Sequence, residues 1–127
     1  MSQWRRIANE ELPELRNIID DDYSSSPMRL WIELNIKFDD LCREDVPDLD
    51  LIKRIWSYCG WCLKHRSGDV RTGAALGFCE HLIDNRSRAS ILPRLMTRSE
   101  YLEFKPILLY HNDEDKIISY MKRLWPT

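Results

Sequence analysis

The 127-residue chain predicts an all-α fold, a compact bundle of six or seven mostly antiparallel helices forming a single helical domain over residues 1–127. Helix-forming residues dominate and β-branched residues other than isoleucine are sparse. Four glycines are too few for the turns of a sandwich or barrel. Apolar residues recur at helical spacing between well-marked caps. The length suffices for one apolar core but not for two. With 43% hydrophobic and 31% charged residues, the composition is that of a globular chain and not a disordered one.

Residues 9–20, NEELPELRNIID, read as the first helix, capped by Asn9, with Pro13 tolerated near the start or moving it to about residue 12. DDDYSSS then breaks the chain. Ser26 and Pro27 open the second helix as capping hydroxyl and first-turn proline, and Leu30, Leu34, Phe38 and Leu41 share its inner face with Trp31 alongside. After REDVPD, where Pro47 keeps Val46 extended, Asp48 caps a third helix. Its stripe is Ile52, Ile55, Trp56, Cys59, Cys62 and Leu63. Gly68 suits a left-handed closing residue, and Ser67 or Asp69 caps a fourth helix running to about Asn85. On that helix Gly73 and Gly77 share a stripe with Ala74 and His81, leaving a shallow groove for a neighbouring helix.

SRASILPRLM predicts a short fifth helix interrupted by Pro93. Thr97 and Glu100 form a capping box ahead of YLEFKPILLYH, which Pro106 should kink or split. Asn112 or Asp113 caps a final helix with Ile117, Tyr120, Met121 and Leu124 on one stripe. Loops of about 2–6 residues imply antiparallel neighbours. The pairs 27–44/48–65 and 69–85/88–111 fit stacked helical hairpins.

Chemistry-bearing residues are few. Cys59, Cys62 and His65 have a metal-like spacing, but they lie within or against a patterned helix, and Cys79 and His81 project to opposite sides of the next. Buried, reduced cysteines are the expected reading, with no metal and no cofactor. Glu80, His81, His65 and His111 are the only acid–base set, and no phosphate loop, nucleophile elbow or zinc-protease motif accompanies them. No catalytic residue is assigned and an enzyme is not expected; a small enzyme or metal protein is the third choice. Arg86, Arg88, Arg94 and Arg98 read as a solvated, internally paired face.

The formal charge of −2 conceals an asymmetry. Residues 1–50 hold 13 acidic against 6 basic side chains, whereas residues 51–127 hold 8 against 13. No basic face covers the chain, so direct nucleic-acid binding is not expected. No run approaches the roughly 18 apolar residues of a membrane span, and acidic residues follow Arg5 and Arg6 where a signal peptide would be apolar. A cytoplasmic protein with no membrane partner is therefore expected. Asp20, Asp21 and Asp22 end the first predicted helix, and Asp39, Asp40, Glu44 and Asp45 crowd the end of the second. Like charges there oppose the macrodipole at about 0.3–1 kcal/mol each. Steering of a cationic partner would account for that cost, and so would a solubilising surface.

WCLKHRSGDVRTGAALGFCEHLIDN, followed by SEYLEFKPILLYHNDEDKIISYMKRLW, resembles small bacterial all-helical, HEAT-like proteins associated with immunity to polymorphic toxins. The resemblance covers residues 50–125 and carries no functional residue. It implies a stoichiometric inhibitor that binds a cognate toxin domain and performs no chemistry. The acidic clusters would suit a basic, nucleic-acid-directed toxin, with Trp4, Tyr23 and Trp31 as the aromatics nearest them, Trp31 being equally suited to the core. A helical scaffold or regulator of an endogenous partner is the alternative.

Overall fold

Ser26 and Asp48 start the two longest helices, each by accepting a backbone N–H with its side chain. The computed structural model describes residues 1–127, all helices and connections with no strand. Nine α-helices and three single 3-10 turns are present where six or seven helices were expected. The excess comes from breaks within predicted helices. By packing, the chain divides into two units, Met1–Phe78 and Cys79–Thr127.

In the first unit, α1 spans Gln3–Glu11, earlier than expected. It ends because Leu12 precedes Pro13 and is forced out of helical geometry, at φ −129° and ψ 56°. Pro13–Leu15 then forms a 3-10 turn that leads into α2, Arg16–Ile19. Asn9 therefore lies inside α1 and caps nothing. Helix α3, Pro27–Cys42, has Ser26 accepting from the Arg29 N–H at 3.2 Å. Its predicted stripe of Leu30, Leu34, Phe38 and Leu41 is buried. Helix α4, Leu49–Leu63, is capped by Asp48, which accepts from the Leu51 N–H at 3.1 Å. The buried Tyr58 hydroxyl donates to the Trp4 carbonyl at 2.8 Å, tying α4 to α1, and burial pushes its pKa far up.

Helix α5 is Gly68–Gly77 and ends well short of Asn85. Gly68 is its first residue and no glycine has a positive φ, so the left-handed closing role expected of Gly68 is not taken. The glycine groove is present and occupied by α3. A Cβ on Gly73 would lie 2.9 Å from the Pro27 carbonyl carbon, and one on Gly77 2.8 Å from the Trp31 Cβ. Such separations leave no room for a side chain, so the two glycines set how near the helices come. Beyond Gly77 the chain leaves the helix at Phe78, with φ −137°. The Phe78 ring packs on Trp31 with centroids 5.0 Å apart and edge-on to Phe38 at 4.9 Å. Trp31 also stacks on Tyr58, with centroids 5.3 Å apart. Helix α5 thus gives way at the residue whose ring enters this aromatic core.

Outside the core, Arg54 of α4 grips Glu14 through both guanidinium nitrogens at 2.6 and 2.5 Å, and also reaches the Glu11 carbonyl at 3.0 Å. The bonded guanidinium first, then the backbone amide of Glu14, hold its carboxyl at about pKa 2, below the usual 4.5.

In the second unit the predicted long hairpin 69–85/88–111 is replaced by short pieces. Cys79–His81 is a 3-10 turn, and Asn85 caps α6, Arg86–Ile91. Pro93 converts the end of α6 into the 3-10 turn Leu92–Arg94. Thr97 and Glu100 complete the capping box of α7, Arg98–Glu103. Pro106 splits the following segment, so that α8 is only Lys105–Leu108. Asp113 caps α9, Glu114–Leu124, whose Ile117 and Met121 are buried. The buried Tyr101 hydroxyl donates to the Ile117 carbonyl at 2.9 Å, and burial raises its pKa to about 12. Arg88 is also interior, at 1% exposure, which corrects its assignment to a solvated arginine face; Arg86, Arg94 and Arg98 remain exposed.

Two expectations follow for stability. Gly77→Ala, and more so Gly77→Leu, should destabilise the protein by about 1–3 kcal/mol in urea unfolding, because the close helix contact cannot absorb a Cβ. Gly60→Ala on α4, where nothing lies within 4 Å, should instead stabilise by up to about 1 kcal/mol. Opposite signs at the two sites are the diagnostic result. Side-chain NMR should find the Glu14 carboxyl titrating near pH 2, and Arg54→Met should return it toward 4.5. A folded-state pKa below the unfolded one means that this pair's contribution is full above about pH 4.5 and fades as pH falls toward 2.

Candidate partner-binding surface

The predicted acidic residues separate into two groups at opposite ends of α3, a helix about 24 Å long by its residue count. At the amino-terminal end, Asp20 closes α2, and its carboxylate accepts from the Asn9 amide at 3.0 Å and Arg16 Nε at 3.2 Å. These bonds, Asn9 foremost, hold its pKa below the ordinary value. Asp20 is therefore already satisfied within the chain. Asp21 folds the loop: its side chain accepts from the Tyr23 N–H at 2.9 Å, and its carbonyl accepts from the Ser24 N–H at 2.9 Å. Ser24 is buried, its hydroxyl donating to the Ile18 carbonyl at 2.8 Å while its own carbonyl accepts from Arg5 at 2.6 Å.

With Ser24 anchored inward on one side and Asp21 turned on the other, Tyr23 projects outward at 72% exposure. Asp22 is exposed beside it. A cleft of about 210 Å³ opens here, lined by Asn17, Ile18, Asp21, Tyr23 and Glu33. Along the outer face of α3, Ile32 and Ile36 are exposed at 47% and 53%.

At the carboxyl-terminal end Asp39 pairs with Arg43 at 2.6 Å, a bond that raises the arginine's pKa. This pairing also offsets part of the unfavourable charge at the helix end. Asp40, Glu44 and Asp45 are exposed, with Val46 next to them almost fully in solvent. The exposed residues thus include free carboxylates, the predicted Tyr23, and Ile32, Ile36 and Val46, three apolar side chains that the sequence reading did not single out. Trp31, weighed equally as a partner contact and a core residue, has no exposed surface and stacks in the core, so it cannot touch a partner. Its period along α3 matches the buried stripe, a signal available in the sequence. Trp4 is half-buried, with the Arg5 guanidinium 5.1 Å over its ring.

The acid–base set divides between the units. His65 belongs to the first, where Nε2 meets Gln3 Oε1 at 2.9 Å and Nδ1 accepts from the Ser67 N–H at 2.9 Å. Cys59 and Cys62 are buried in α4 and form no disulfide, as is true of Cys42 and Cys79 in their own segments. In the second unit Glu80, His81 and His111 come together around Asp84, a residue the sequence reading had not included. His81 Nδ1 lies 2.8 Å and His111 Nε2 3.3 Å from the two carboxylate oxygens of Asp84, and His81 Nε2 lies 3.3 Å from Glu80. The ionic partner of Glu80 is the neighbouring imidazole of His81. The His81 and His111 rings meet edge to face at 4.6 Å. No helix is long and apolar enough to cross a membrane. No family model, curated protein or solved structure matches the chain.

Proposed function

We propose that the chain is a cytoplasmic, immunity-type binding protein that neutralises a cognate toxin domain stoichiometrically and catalyses no reaction. The observation that carries this reading is Tyr23, held outward by the Asp21–Ser24 loop beside the exposed Asp22, at a cleft that it lines together with Glu33 of α3. An exposed aromatic on a fixed loop loses little conformational freedom on binding, which is what an interface anchor requires. Surrounding carboxylates favour a basic partner and accelerate encounter with it. A nucleic-acid-directed toxin domain, itself basic to hold phosphates, fits that description. In this reading the α3/α4 hairpin supplies the HEAT-like platform and α3 presents its outer face to the toxin.

Co-expression with the product of the neighbouring open reading frame tests the proposal. That product should be toxic alone, harmless with this chain, and should co-purify with it at one to one. Tyr23→Ala should speed dissociation tenfold or more. Asp40→Lys with Glu44→Lys and Asp45→Lys should slow association at least tenfold at low salt and flatten its salt dependence. A harmless neighbour, or binding indifferent to both variants, would sink the proposal.

A further inference from the structure

The geometry points to a binding site for one transition-metal dication of the zinc class, formed by Glu80, His81 and His111 and oriented by Asp84. One donor atom from each of the three ligands lies within 4.8 Å of the other two. Tetrahedral zinc with bonds of about 2.0–2.1 Å sets its donors roughly 3.4 Å apart. Small rotations of the side chains, chiefly the flexible Glu80, close that difference. Two imidazoles with one carboxylate suit zinc, cobalt or nickel, while calcium and magnesium favour all-oxygen shells. Three protein ligands leave a fourth position for water or for a donor from another molecule.

The supporting contacts are those a metal site requires. A single carboxylate, Asp84, reaches one nitrogen of each imidazole, His81 Nδ1 at 2.8 Å and His111 Nε2 at 3.3 Å. That leaves His81 Nε2, 3.3 Å from the Glu80 carboxylate, as the nitrogen of that ring to bind metal. Carboxylate contacts of this type fix the tautomer and strengthen the ligand. The backbone is also braced. Buried Asn112, adjacent to His111, donates from one amide nitrogen to the Glu80 carbonyl at 3.1 Å and to the Leu108 carbonyl at 2.9 Å. It thereby clips the turn bearing Glu80 and His81 to the segment bearing His111.

Neither Glu80 nor Asp84 pairs with lysine or arginine; their only ionic partners are the two imidazoles. The side chains of Glu80, His81 and Asp84 are 18–30% exposed. Two partly shielded carboxylates without a fixed cation make a setting in which a dication is strongly favoured.

The full-length chain, stripped with chelator, should bind zinc at one to one by calorimetry, and cobalt should give the visible absorption of a four-coordinate nitrogen–oxygen site. Zinc should raise the melting temperature, and magnesium or calcium should not. His81→Ala and His111→Gln should each weaken zinc binding 100-fold or more, and Asp84→Asn about 10–100-fold, without loss of helical circular dichroism. His111→Gln, at the most exposed position, keeps the test valid if His81→Ala fails to fold. No zinc binding below about 100 μM, or affinity unchanged in His111→Gln and Asp84→Asn, overturns the site. A cobalt spectrum with sulfur charge-transfer bands also overturns it, because it would place the metal on cysteine.

Discussion

The first unit depends on how closely α5 approaches α3. Gly73 and Gly77 remove the side chains that would hold the helices apart, and the second of them sits directly against Trp31. Only with α5 at that distance can the Phe78 ring enter beside Trp31, which also stacks on Tyr58. Dispersion between such large rings is lost steeply with a gap of even half an ångström. The glycines therefore trade helix propensity for the contact that closes the aromatic core. The buried Trp31 Nε1 finds no hydrogen-bond partner, a cost of about 1–3 kcal/mol that the packing of its ring outweighs.

What could be read from the sequence was what local chemistry determines. Ser26, Asp48, Asp113 and the Thr97/Glu100 pair act on N–H groups within three residues, so their pattern announces the helix they begin. Pro106 announces its break in the same way. Helix α1 went unseen because Ser2 makes no side-chain cap bond and the stronger cap signal of Asn9 lies inside it. The early end of α5 falls at a ring that enters a core built from α3 and α4, and no window of adjacent residues contains that information. Burial of Arg88 is likewise a tertiary fact.

The binding surface shows the same division. Charge asymmetry located the acidic residues, but not which of them were already satisfied. Arg16 with Asn9, and Arg43, engage Asp20 and Asp39, shifting the free charge to Asp22, Asp40, Glu44 and Asp45. The outward aim of Tyr23 depends on hydrogen bonds by its two neighbours on either side. In the second unit the sequence reading named Glu80, His81 and His111 but not Asp84, three residues beyond His81, and His111 arrives from 30 residues away through the Asn112 clip.

The four buried thiols give the folded state a chemical memory. Cys59 and Cys79 have no exposed surface, and Cys42 and Cys62 almost none, so oxidants and electrophiles meet them only when the chain opens. A sulfur modified during such an opening carries added bulk that a close-packed interior cannot readmit. Each excursion under oxidising conditions then acts as a ratchet, turning a reversible fluctuation into permanent loss. Persistence of this protein is consequently governed by its opening rate together with the redox poise around it, and not by equilibrium stability alone.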